Sequence, residues 1–332
     1  MARGRVYNRV YTPELWEQVN SENKDIMEDY LEEYRQRKKS KGTIDQYRND
    51  LRIVFIYILK ELRNKSILEL KKKDFRRFNI WCQDKGMSNA RVNRLMSAIR
   101  SMLAYVEDDD DYDYDVNFAV KVKGLPKAPV RTNEDNFFMS FEQIMKVREE
   151  LVNMGELQLA CLHMLLFDSG ARRNEVFQVK KEGLLDGNKT NIVVGKRGKK
   201  FPLIYLNDTK ELIKMYLEDR GEDDIESLWI IQDKNGKRPA TYECLYDRVV
   251  KISKILSRLE GRDIEIFVHT YRHSRAETLL QGEDLRILDE NGNPRKFMLE
   301  EVQKILHHSS SDTTQLYCKD HSEDEIDSMF GF

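Results

Sequence analysis

Residues 267–273 read Phe267-Val268-His269-Thr270-Tyr271-Arg272-His273. Steps of three and four place His269, Arg272 and His273 on one face of a helix, so their polar ends can converge on a single group. Two histidines four apart also suit a metal. The zinc-protease pattern, however, needs glutamate directly after the first histidine, and Thr270-Tyr271-Arg272 instead sets a cation between the two rings. A guanidinium is a planar fork of donors matched to phosphate oxygens. The segment therefore predicts a helix that meets phosphate, with no metal and no cofactor. His307, His308, Cys318 and His321 could be imagined around zinc, but their spacings match no standard ligand pair.

Working outward, Leu157 to Phe167 is almost continuously apolar and predicts a buried helix, followed by the turn Asp168-Ser169-Gly170-Ala171 and a new helix opening at Arg172-Arg173-Asn174-Glu175. Asn191-Ile192-Val193-Val194 and Phe201-Pro202-Leu203-Ile204-Tyr205-Leu206 flank Gly195 to Lys200, which predicts two strands joined by a mobile basic turn. Lys196 sits on that turn, with Lys199 and Lys200 as alternatives. A lysine-rich hairpin tip by itself is usually only a solvated turn. Further on, Leu306-His307-His308-Ser309 is followed by Thr313-Thr314-Gln315-Leu316-Tyr317, with Tyr317 nine residues after His308.

Arg172, Lys196, His269, Arg272, His308 and Tyr317, in that order and phrasing, resemble the tyrosine site-specific recombinases, the phage integrase superfamily. The resemblance implies that Arg172, Arg272 and His308 hold a scissile phosphate and that Tyr317 is the nucleophile. It gives His269 as the base and Lys196 as the general acid, and makes Glu175 and His273 supporting residues. Arg173 falls on a variable position. Two departures stand out. The family writes Leu-Gly-His where this chain has Leu306-His307-His308, and glycine is often kept where φ is positive. Residues 283–297, including Asn291-Gly292-Asn293-Pro294, look like an insertion with a hairpin tip and no evident task.

These residue types fit the chemistry. In-line attack on a phosphodiester builds charge on the non-bridging oxygens, so positioned cations and donors must carry most of the catalysis. A free phenol titrates near ~10, which makes a cationic pocket and a base useful to Tyr317. A covalent 3′-phosphotyrosine conserves the bond energy, so a 5′-hydroxyl can reseal the strand without ATP or metal.

Charge is divided along the chain. The net charge is −2, yet residues 1–104 hold 23 lysines and arginines against 14 acidic residues, an excess of nine. A basic half is where a polyanion is held. Its pattern is helical: Ile26, Met27, Tyr30, Leu31 and Tyr34 mark one amphipathic helix. Thr43 and Gln46 read as a capping box before a stripe from Ile44 to Leu62. Phe75, Phe78 and Trp81 mark a third helix, and Ser88 caps a fourth with the stripe Val92, Leu95, Met96, Ile99, Leu103 and Val106. Asn89, Arg91, Asn93 and Arg94 near the start of that helix are the candidate DNA contacts. The stretch 91–100 looks like the corresponding helix of the recombinase core-binding domain.

The expected organisation is a basic arm at 1–20, a helical core-binding (SAM-like) domain at 21–106 and a linker at 107–135, announced by the acidic block Glu107 to Asp115 and by Pro126 and Pro129. A catalytic domain follows at 136–320, opened by a capping box at Ser140 and Gln143, and then a tail at 321–332. Met329, Phe330 and Phe332 suggest that this tail docks on a neighbouring protomer. The fold class is mainly α with a small β-sheet, and the resemblance implies a two-domain clamp on double-stranded DNA. It also implies four protomers on two recombination sites and leaves room for accessory DNA-bending proteins. A type IB topoisomerase and a catalytically silent DNA-binding regulator are the rival readings. No apolar run approaches the ~20 residues of a membrane span, no secretory leader is visible, and the four cysteines share no CxxC spacing. A cytoplasmic, nucleoid-associated protein with reduced thiols is expected.

Overall fold

A computed structural model describes residues 10–126 and 137–307, and the chain divides into an N-terminal unit, 1–130, and a C-terminal unit, 131–332. The N-terminal unit is all-helical: α1 (Pro13–Glu17), α2 (Ser21–Gln36), α3 (Lys41–Glu61), a 3-10 turn at Ile67–Glu69, α4 (Lys72–Asp84) and α5 (Asn89–Glu107). The run Ile53-Val54-Phe55-Ile56-Tyr57-Ile58 is buried on every side, because α1, α2 and α5 all pack on α3. A helix apolar all round belongs inside. The Tyr30 hydroxyl donates to Ser101 Oγ at 2.7 Å and so fastens α2 to α5. The cap of α3 is Ser40, whose Oγ accepts from the Thr43 amide, rather than Thr43 itself. Ser88 caps α5 as expected.

Two expectations change here. Residues 10–20, assigned to an arm, belong to the helical unit: Val10 and Val19 are buried, Thr12 caps α1, and Asn20 donates two hydrogen bonds to Asn64. The stretch assigned to a linker from 107 is packed on the same unit as far as Leu125, with Tyr114, Ala119 and Val122 in its core. Polar side chains of α5 hold its backbone. Arg100 donates to the carbonyls of Ala119 and Val122, at 3.2 and 2.9 Å. Asn117, 2% exposed, donates to Arg100 O and accepts from the Ala119 amide. Like-charge repulsion in the acidic block is borne at its exposed edge while the apolar residues between and after the aspartates turn inward.

The C-terminal unit is built around α7 (Leu157–Ser169), in which every residue from Leu159 to Ser169 is buried. Around it lie α6 (Phe141–Asn153), α9 (Asn207–Arg220), α10 (Tyr242–Glu260) and α11 (Val268–Gln281). Ser140 and Gln143 form the expected capping box on α6. The short helices α8 (Arg173–Phe177) and α12 (Leu299–Ile305) complete the helical part. Two antiparallel hairpins are present. β1 (Lys189–Val194) pairs with β2 (Lys200–Ile204), Val193 opposite Phe201, and β3 (Ile230–Asp233) pairs with β4 (Gly236–Pro239). In the first, Thr190 Oγ1 accepts the Leu203 amide where the register slips. The second hairpin and α9 carry no motif that singled them out in sequence.

Among the described residues no helix is long and apolar enough to cross a membrane. Cys82, Cys161 and Cys244 are free.

If residues 107–125 belong to the fold, Asn117→Ala leaves the Ala119 amide and Arg100 carbonyl without their partner. It is expected to cost the N-terminal unit about 1–3 kcal/mol in urea unfolding, and limited proteolysis of the unsubstituted chain should spare this stretch.

Candidate active site

The buried run of α7 stops at Gly170, whose φ is 55°. A Cβ there would lie 2.4 Å from Leu306 Cδ2, so glycine both reverses the chain and admits the end of α12. Arg272, projecting from α11 and 1% exposed, spans this junction: Nη1 donates to Gly170 O at 2.6 Å and Nη2 donates to Leu306 O. Both carbonyls lie at helix C-termini, where the macrodipole favours a cation. An unpaired buried guanidinium would cost several kcal/mol. Here two helix ends supply the acceptors, and the charge is held with its geometry fixed.

Arg172 caps α8 from the other side of the same turn. Its amide and its Nη1 both donate to Glu175, at 2.8 and 3.0 Å. Glu175 is buried, while the Arg172 side chain keeps 28% of its surface open. The guanidinium is thus aimed by a fixed carboxylate but remains available to a ligand.

The β1–β2 hairpin closes against this pair at Gly195. A Cβ on Gly195 would meet Phe201 Cε1 at 2.7 Å and Glu175 Oε1 at 3.0 Å. Lys196 begins the 3-10 turn at the tip (Lys196–Gly198) and is exposed. Of the hairpin lysines, Lys199 is the one whose charge acts on His307.

His269 lies at the open mouth of the site. Partial loss of water around its ring, then the charges of Arg272 and Arg172, lower its pKa below the ordinary histidine value. His273 is half-buried, edge-on to Phe138 with ring centroids 5.9 Å apart. His307, at the glycine position of the family, does adopt φ 55°. That left-handed backbone costs a non-glycine residue roughly 1–2 kcal/mol. Its ring stacks on Phe201 at 3.8 Å, which offsets part of the cost. Burial, then Lys199, with Arg272 and Arg172 behind it, lowers the pKa of His307, against an opposing pull from Glu175. Arg172, Glu175, His269, Arg272 and His307 are therefore brought together. His308, Tyr317 and the tail lie outside the described residues.

Two supports were not read from sequence. His163 on α7 is fully buried: its Nε2 donates to Ile144 O at 2.9 Å, and its Nδ1 accepts from the Tyr271 hydroxyl at 2.7 Å. A carbonyl only accepts, so Nε2 carries a proton, and burial, which lowers the pKa of the ring to about 4, keeps it neutral. This fixes α11 beside the residue next to Arg272.

The second support uses the 283–297 segment. Arg286 pairs with Asp168 at 2.7 Å, Asp208 at 3.0 Å and Asp284 at 2.9 Å, while Arg275 pairs with Asp284 at 2.5 Å. Both guanidiniums lie over the Phe167 ring. The inserted segment is thereby bound to α7, α9 and α11, and its outer part turns at Asn291-Gly292, where the Gly292 amide donates to Asp289 O. An Asp168 that ends an apolar run was the available signal; its partner lies 118 residues away.

The candidate DNA contacts of the N-terminal unit are in part engaged internally. Asn89 donates to Pro126 O, and Asn93 clasps Leu125 through both its carbonyl and its amide, so these two hold backbone. Arg91 and Arg94 pair with the buried Asp50 at 2.6 and 3.0 Å, with 47% of the Arg94 side chain still open. Among the described residues no group of three or more histidine, cysteine or acidic side chains could hold a metal ion.

Comparison with known proteins places these features in a wider set. Residues 138–324 match the phage integrase family, and residues 27–109 match the phage integrase N-terminal SAM-like domain. The chain is 30% identical to tyrosine recombinase XerC of Treponema denticola over 302 residues, covering 85% of this chain and 89% of that protein. It is 27% identical to the SPbeta prophage-derived recombinase-like protein YomM of Bacillus subtilis over 303 residues, covering 83% and 84%. A lambda integrase tetramer bound to a Holliday junction superposes with a TM-score of 0.63 at 14% identity, covering 89% of this chain and 77% of that one.

Two outcomes follow from the supports. Arg286→Met would take the guanidinium from Asp168 and Asp208 and leave Asp284 with Arg275 alone, and is expected to destabilise the C-terminal unit by about 3–5 kcal/mol in chemical denaturation. Burial pulls the His163 imidazole from 6.5 down to about 4. The unfolded chain therefore binds a proton that the folded one refuses, and stability should fall as pH drops through that window, by up to ~1.4 kcal/mol per pH unit. Thermal unfolding of His163→Leu across the same range should show a shallower decline.

Proposed function

The chain belongs to the phage integrase family of tyrosine recombinases, and on that premise we propose that it breaks and rejoins duplex DNA at a specific recombination site, with Tyr317 as nucleophile. The observation that carries the assignment of the site is the convergence of Arg172 and Arg272 on one turn, with Leu306, the last residue Arg272 grips, two positions before His308. The chain leading to His308 and Tyr317 thus leaves directly from the phosphate-binding groups.

The step balances without a cofactor. The Tyr317 hydroxyl gives its proton to His269 and its oxygen bonds to phosphorus; the bond from phosphorus to the 5′ oxygen breaks, and Lys196 supplies the proton that this oxygen takes up. Arg172, Arg272 and His308 hold the non-bridging oxygens as charge builds. Glu175 aims Arg172, and His273 supports the α11 face. A 5′-hydroxyl attacking the phosphotyrosine reverses each transfer and reseals either the same strand or a new one. Neutral His269 is the form that accepts a proton, and its lowered pKa favours that form.

Arg94, with Arg91 behind it, is the N-terminal unit's contact with backbone phosphate. Asn89 and Asn93 act by shaping the backbone at Leu125 and Pro126. The working assembly is a tetramer on two DNA sites in a cytoplasmic, nucleoid-bound protein, a reading supported by the similar lambda integrase tetramer bound to a Holliday junction. The tail docks on a neighbouring protomer, and accessory DNA-bending proteins are an option of the site. The recombinase relatives do not favour a topoisomerase or a silent regulator.

Tyr317→Phe should abolish the covalent protein–DNA adduct on a denaturing gel while leaving DNA binding in place. Arg172→Ala should slow cleavage by roughly 10²–10³-fold with DNA affinity much less affected. The acid limb of the single-turnover cleavage rate should lie below 6.5, the ordinary histidine value, because His269 holds its proton less tightly; a limb above that value would remove His269 as the base.

A further inference from the structure

His307 is the residue at which the chain leaves the family's Leu-Gly-His pattern, and its surroundings give the change a use. The backbone beneath it is part of the rigid site: Leu306 packs on Gly170, and its carbonyl accepts from Arg272. The ring above it belongs to the hairpin. Phe201 is the first buried residue of β2, stacked on His307 at 3.8 Å and resting on Gly195, the residue before Lys196. The base of the hairpin is held firmly, with Val193 and Leu203 in the core, Gln178 bonded to both the amide and the carbonyl of Val194, and Asn191 bonded to Lys180 and Gln178, whereas past Gly195 the side chains of Lys196, Lys199 and Lys200 are exposed. The hairpin packs on α7 and α8 at its inner face, while Ile192, Val194 and Ile204 are 66%, 41% and 42% exposed on the outer one. A two-stranded hairpin is marginal without such support.

We propose that His307 is a positioning residue, a latch that holds the β1–β2 hairpin over the scissile phosphate by stacking on Phe201 and so sets where Lys196 delivers its proton. The inference rests on the reading of Lys196 as general acid. An imidazole suits the place for two reasons. Histidine tolerates the left-handed backbone better than a β-branched or bulkier apolar residue does, and its flat ring covers Phe201 as glycine never could. The ring's stacking contact is with Phe201 of the hairpin, so its loss should be felt where the acid is needed.

That restriction supplies the test. Single-turnover cleavage is measured on DNA carrying the normal 5′ oxygen at the scissile bond and on DNA carrying a bridging sulfur, whose thiol leaves readily with a pKa near ~8.5 and needs no acid. With oxygen, His307→Gly and His307→Asn should cleave about tenfold more slowly or worse, through misplacement of the acid; with sulfur both should approach the unsubstituted rate. His307→Tyr, which keeps a ring, should recover most of the loss. Phe201→Leu should behave like His307→Gly, and the double variant should be no slower than the slower single one, because one contact is lost only once. Thermal unfolding of each variant separates these effects from failure to fold.

The latch is overturned if His307→Gly cleaves the oxygen substrate at full rate. It is equally overturned if its defect persists with sulfur while Lys196→Ala is rescued by sulfur. A Lys196→Ala enzyme that sulfur does not rescue would instead overturn the assignment of the acid.

Discussion

One buried guanidinium organises the catalytic unit. Arg272 satisfies the carbonyl that ends α7 and the carbonyl that ends α12, two points 136 residues apart in sequence. Neither helix end has another reason to meet the other. Gly170 makes the approach possible because it has no Cβ, and Leu306 fills the space so left. Removing the charge would leave two carbonyls facing one another at the negative ends of two helix dipoles. The same group is one of the two arginines proposed to hold the scissile phosphate, and a side chain fixed at two points suits that role.

Around it the unit uses charge in the interior where a simpler protein would use packing. Arg286 and Arg275 join Asp168, Asp208 and Asp284 in a network closed over the Phe167 ring. Buried pairs are weak sources of stability once desolvation is counted, but breaking one is costly. What the network provides is registration: it fixes the 283–297 segment, and through it the approach of the chain to α12, at a single setting. His163 and Tyr271 do the same for α11 with a neutral pair. Arg272 is thus held by neighbours whose own positions are specified by directional bonds.

The hairpin carrying the basic turn stands apart from this frame. Gln178 and Asn191 fix its base, while its tip and outer face are open. A group that must give up a proton and then take one back profits from a lighter tether than a group that must hold an oxyanion still. His307 spends backbone strain to supply that tether.

The linear order of residues was enough for the helical pattern of both units, the buried helix ending at Gly170, the basic hairpin and the helices that carry Arg172, His269 and Arg272. Each of these announces itself locally, through periodicity, turn residues or a short motif. It also marked position 307 as one wanting a left-handed backbone. Tertiary structure alone decided that residues 107–125 pack rather than link, since the interaction lies between main-chain carbonyls and the side chains of Arg100, Asn117 and Asn93. It likewise turned Asn89 and Asn93 inward, gave Arg286 three acidic partners, and set Phe201 beneath His307. The physical reason is common to all: a hydrogen bond or ion pair between residues dozens to a hundred positions apart leaves no periodicity in either strip of sequence, and only the folded chain brings donor and acceptor within reach.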